Sequence, residues 1–203
     1  AAGAVASTAA VTSLAVPSAV AAAEPAPIVV PPPTKNRVLL SCKLGMIAKK
    51  VDGKDLTIVE RLKLAAAAGF DGVDFDQAGE YTVEQVRDAV RESGVFVHNA
   101  INHAHWGQRL TSANETERTT GRNNIAHCLR CSHAAGGSGV LIVVGRGDDG
   151  TEAEIEDRAR KDPEEPARLA RGELGLEIGD VDGVDAANVE AHDRLLVLGH
   201  VRA

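Results

Sequence analysis

From Arg37 onward the chain alternates between two hydrophobic rhythms. RVLLSCKLGM (37–46), FDGVDFD (70–76), VFVHNAI (95–101) and GVLIVVG (139–145) are short apolar runs with the length and β-branched content of buried strands. Between them, apolar residues recur every three or four positions, as on one face of a helix. In DLTIVERLKLAAAAG, Leu56, Val59, Leu62 and Ala66 form such a stripe, and Asp55 or Thr57 can cap its start. Thr57 and Glu60 have capping-box spacing, and Gly69 stands where a left-handed stop belongs. TVEQVRDAVRESG repeats this grammar: Thr82 pairs with Gln85, Tyr81 can staple onto Val86, and Gly94 ends the helix. A third helix is predicted from roughly Glu117 to Ala135, stopped by Gly136 and Gly137. Strands alternating with glycine-terminated helices predict βα units on a parallel sheet.

The flanks read differently. Residues 1–36 begin with an Ala/Val-rich stretch that is uncharged before Glu24, followed by the proline-rich PAPIVVPPPTKNR. Small residues ahead of Glu24 predict the remnant of an export signal, hence a periplasmic or extracellular location, with a stiff linker after it. A plain tail on a cytoplasmic protein is the alternative. Pro17 and the many Ala and Ser residues argue against a membrane span. At the other end, residues 146–203 carry 16 acidic against 8 basic side chains, although the whole chain has a formal charge of −7. No aromatic residue follows Trp106. This predicts three parts: 1–36, an α/β body over 37–151, and an acidic tail over 152–203, with 1–36 and most of 146–203 packing poorly. The acidic balance excludes nucleic acid as the main partner, since phosphate binding needs a basic face.

Four segments in order, KLGMI, LAAAAGFDGVDFD, HW with the polar loop after it, and AAGGSGVLIVVG, resemble the sugar phosphate isomerase/epimerase family. GFDGVDF resembles the family's second strand, with Asp74 where a glutamate is usual. The resemblance spans about residues 37–151 and implies a xylose isomerase-like TIM barrel. It also implies a divalent metal held mainly by later strands, and metal-assisted isomerisation or epimerisation of a sugar by a glutamate pair. Only 59 residues (145–203) follow the fourth strand, whereas four further βα units need roughly 30 residues each. The reading is therefore an incomplete half-barrel, inactive as this chain for lack of the later ligands. Its tail would come from a truncated or frame-shifted frame, and its open sheet edges would favour self-association. A non-catalytic ligand- or partner-binding α/β domain, with a sheet that never closes, is the alternative.

Barrel chemistry sits where strands pass into βα loops, and NAINHAHWGQRL (99–110) occupies such a place. His105 and Trp106 are expected to line a sugar-binding pocket, the indole walling the ring, with His98 and Asp74 as further contacts. His103 and Asp76 are weaker candidates, because a solvated loop histidine and a strand-ending aspartate explain them equally well. No catalytic residue and no metal ligand is assigned. HCLRCSH (127–133) has the spacing of half a zinc site, but Cys42 is the only other cysteine. Cys128 shares a helical stripe with Ile125, Leu129 and Ser132, so a buried apolar role fits it best. GRGDDG (145–150) lacks phosphate-loop spacing, and DVDGVDAANVE (180–190) misplaces the glycine and last acid of a calcium loop. Both read as solvated acidic stretches.

Overall fold

A computed structural model of the chain describes residues 26–34, 38–77 and 79–174, and the backbone of 195–198. The start of the export-signal reading and the calcium-like stretch lie outside the described residues. Strands β1 (Ser41–Lys43), β4 (Gly72–Gln77), β5 (Phe96–Asn102) and β6 (Val140–Val143) pair side by side in chain order, all parallel. Helices α1 (Ile58–Ala67), α2 (Val83–Ser93) and α3 (Glu115–Ala134) make the crossovers. The fold is the α/β, partial TIM-barrel type that the rhythm and the resemblance imply.

The capping signals operate as the sequence suggests. Thr57 and Thr82 each accept a bond from the backbone N–H three residues on, and the Glu60 and Gln85 side chains accept the N–H of the cap residue in turn. Gly94 closes α2 in the left-handed region at φ 66°. Two details shift. Asn114 caps α3, which starts at Glu115. In α1 the phase runs through Leu62 and Ala65, leaving Ala66 exposed, and buried Arg61 shares that face. Arg61 Nη2 donates to the carbonyls of Leu44 and Ile47, and Nη1 donates to the Tyr81 hydroxyl at 3.1 Å. A cation can be buried here because carbonyls left over by the turn after β1 need donors.

Strand alternation divides the sheet into two faces. Val73, Phe75, Val97, Ala100, Val140 and Ile142 are buried in one core with Leu62 and Ala65 of α1, Val86 and Val90 of α2, and Ile125, Cys128 and Leu129 of α3. Their neighbours Lys43 and His98 are exposed, and Asp74 and Asp76 are half-buried. The helices therefore cover one face, and polar side chains populate the other.

Three expectations are corrected. First, residues 146–174 do not pack poorly. Helices α4 (Glu152–Lys161) and α5 (Glu164–Gly172) follow β6, and Ile155, Ala167, Ala170 and Leu174 are buried. Asp162 joins Arg118 (3.3 Å) and Arg122 of α3, so charge seats these helices where few aliphatic residues are available. Second, the proline-rich segment is not merely a linker. Ile28 N–H donates to Ala134 O at 2.9 Å, Ile28 and Val30 pack on the core, and the segment passes so close to Gly136 that a Cβ there would stand 2.8 Å from Ile28 O. Third, β6 is not an open edge: β7 (Leu195–Leu198) pairs with it antiparallel. The polar hairpin of β2 (Lys50–Val51) and β3 (Lys54–Asp55) was not foreseen. Among the described residues no helix is long and apolar enough to cross a membrane.

Candidate functional site

The uncovered face of the sheet is built by alternation and register. Lys43 of β1 stands beside Asp74 of β4, and Asp76 stands beside Ile101 of β5. A register shift between Val73 and Phe75 gives β5 an irregularity there. His98 lies within that stretch, on the side opposite buried Val97. Its Nδ1 lies 3.1 Å from Asp74 Oδ1. The Ser41 hydroxyl also bonds Asp74, and Lys43 adds a positive charge nearby. Burial pushes the Asp74 carboxyl above its ordinary range, outweighing His98, Ser41 and Lys43, which pull it down. The result is a carboxyl of raised proton affinity in contact with an exposed imidazole.

One step toward the strand ends, a second carboxylate–imidazole set appears. His103 Nε2 lies 2.8 Å from Glu80 Oε1, and its Nδ1 lies 3.4 Å from Asp76 Oδ1. The other Asp76 oxygen packs on the backbone of Gly45, so closely that a Cβ there would collide with it. Gly45 belongs to the 3-10 turn Leu44–Met46, part of the KLGMI stretch. That turn requires a glycine because a carboxylate occupies the space of a side chain.

His103 opens a 3-10 turn (His103–Trp106) that Asn102 caps by accepting the Ala104 N–H at 3.1 Å. Within this turn the two expected pocket residues separate. His105 is buried, and its Nδ1 accepts the Val143 N–H at 3.1 Å, which fixes the loop to the end of β6. Trp106 is 45% exposed. The two rings meet edge to face, 5.0 Å between centroids. His105 therefore supports the indole from beneath, and Trp106 presents it at the C-terminal ends of the strands.

The structure thus brings Asp74 and His98 together on the open face, with Asp76, His103 and Glu80 beside them. Glu80 and Lys43 were missed. Lys43 could have been found from its i, i−2 relation to Ser41 on the first strand, but Glu80 sits in a loop whose path no pattern gives. Cys42, Cys128 and Cys131 are buried thiols outside any disulfide; Cys128 contacts the Gln77 carbonyl at 3.4 Å, and burial pushes its pKa up. Asp149 of GRGDDG is also not solvated: it is buried against Arg109. A separate groove, between α3 and α5, is lined by Arg122, Arg130, Glu165 and Arg168.

A divalent metal does not fit the side chains in place. Among the described residues no group of three His, Cys, Asp or Glu could hold one, and both His103 nitrogens already face carboxylates. What the set can do is accept hydrogen bonds from hydroxyl groups and exchange a proton between Asp74 and His98.

No family model matches the chain, and no curated protein matches it. In fold it is similar to solved structures of a D-allulose 3-epimerase from Methylomonas sp.. One is an N-terminally His-tagged form with additional C-terminal residues, at 16% identity and a TM-score of 0.50, covering 72% of this chain and 51% of that one. Another is the complex with D-allulose, at 16% identity and TM-score 0.50, covering 73% and 51%. This likeness is one of fold, and the chain spans about half the length of the structures it matches.

Proposed function

We propose that this chain forms the sugar-binding first half of an isomerase- or epimerase-type barrel. Its open face receives a sugar or sugar derivative at the C-terminal ends of β1, β4 and β5. The observation that carries this reading is the juxtaposition of two carboxylate–imidazole sets, Asp74 with His98 and Asp76 with His103 and Glu80, on that one face. Carboxylates accept vicinal hydroxyls, the imidazoles donate or accept according to protonation, and Trp106 offers an apolar wall to a ring. The shared fold with a sugar epimerase, one structure of which is in complex with D-allulose, supports the same ligand class.

Family chemistry of this type draws on a divalent metal, and the described side chains supply no ligand set for one. On this proposal the chain binds the sugar without turning it over. The test titrates D-allulose into the protein by calorimetry and assays epimerisation with magnesium or manganese supplied. Binding in the millimolar range, about −4 kcal/mol, weakened by Asp74→Asn and without turnover, supports the reading. Metal-dependent turnover abolished by Asp74→Asn would show a complete site instead, and absence of binding would remove the sugar reading.

A second reading, association of two copies along β1, draws on the exposed Val38, Leu39 and Leu40 that lead into this edge strand. Concentration-dependent mass by light scattering, abolished by Leu40→Lys, tests it.

A further inference from the structure

We propose that Asp149 is a positioning residue for Trp106, acting through Arg109; the consequence for affinity rests on the reading that Trp106 walls the sugar. The Asp149 side chain is 3% exposed. Arg109 Nε donates to both of its oxygens, at 2.9 and 3.0 Å, and Nη2 donates to Oδ1 at 2.7 Å. The remaining nitrogen of the fork, Nη1, donates to the carbonyl of Trp106 at 3.0 Å. One planar group thus joins a buried carboxylate to the backbone of the exposed indole.

The anchor itself is held from several sides. The Thr111 hydroxyl and the Arg146 N–H, the latter at 3.0 Å, both donate to Asp149 Oδ2. Arg158 of α4 donates from Nη2 to the Asp149 carbonyl at 3.0 Å and from Nε to the Thr111 carbonyl at 2.7 Å. Leu110 N–H and Thr111 N–H reach Val144 O at 2.9 and 3.2 Å. The loop after β5 is thereby joined to the loop after β6 by an ion pair and backbone hydrogen bonds, beside the buried Leu110 and Val144. A buried pair of this geometry specifies one arrangement, because any other leaves a charge without its partner. Lysine cannot replace Arg109 here, since a single ammonium lacks the fork that reaches two partners in fixed directions.

Trp106 is the chain's only tryptophan, so its emission reports this loop alone. The experiment compares the full wild-type chain with Asp149→Asn, Arg109→Lys and Leu62→Ala, the last a core variant remote from the loop. Circular dichroism establishes folding, fluorescence anisotropy and iodide quenching of Trp106 report the loop, and D-allulose titration gives Kd. Asp149→Asn and Arg109→Lys should each lower the anisotropy, raise quenching and weaken D-allulose about tenfold, whereas folded Leu62→Ala leaves the indole unchanged. If Asp149→Asn does not fold, Arg109→Lys decides. Unaltered anisotropy and quenching in the folded loop variants would overturn the proposal. Increased indole mobility in a protein that binds no sugar would instead keep the positioning role and discard the sugar reading.

Discussion

At the residue scale, Trp106 and Asp74 show how far side-chain type predicts environment. A lone tryptophan after a buried strand could serve as core or as rim. Its half-exposed position, with His105 buried beneath it, takes it out of the core. Trp106→Ala should therefore lower stability by about 1 kcal/mol or less in chemical denaturation, far below the ~3–5 kcal/mol of a core tryptophan. Asp74 gives a pH signature. Burial raises its folded pKa above the ordinary 3.8, so the folded state holds that proton more tightly than the unfolded one. Its contribution is fully present below 3.8 and is lost as pH rises through the higher folded value. Unfolding curves should accordingly show wild type gaining on Asp74→Asn as pH falls from neutral toward 4; a constant difference would contradict the burial of this carboxyl. The two aspartates were legible because i, i+2 spacing on a strand fixes a shared face. The separate fates of His103 and His105 were not, because a 3-10 turn sends neighbours in directions that no strand rhythm specifies.

Elements with strong local signals were the legible ones. Thr57 with Glu60 and Thr82 with Gln85 are complete capping boxes, and a box satisfies orphan N–H groups whatever the helix packs on. Thr151 and Glu154 form a third box at the start of α4, within a stretch where acidic charge hid the helix. That helix buries only Ile155, so hydrophobic rhythm could not reveal it, and Arg158 fastens it by polar bonds. Gly145, just past the end of β6, is a glycine for a steric reason: a Cβ there would overlap the Thr111 side chain. Gly145→Ala should cost about 1–3 kcal/mol by overpacking and loosen the loop that carries Trp106, measurable as a lower melting temperature with higher iodide quenching. An alanine variant as stable as wild type would show that the loops after β5 and β6 are not tightly joined.

At the scale of the molecule, four parallel strands in chain order could be read from apolar runs and glycine stops, because each βα unit is local. The edges could not: β7 pairs with β6 across more than fifty residues, and residues 26–30 return to the end of α3 from before the first strand. Neither connection has a local periodicity to announce it. The functional reading depends on the face that these strands leave uncovered, where Asp74, His98, Asp76 and His103 converge. The most direct measurement is a heteronuclear NMR titration of the labelled chain with D-allulose. Shift changes should concentrate at residues 41–45, 74–77 and 98–106 and saturate in the millimolar range, about −4 kcal/mol. Changes confined to the groove between α3 and α5, around Arg122, Arg130 and Arg168, or no changes at all, would contradict it.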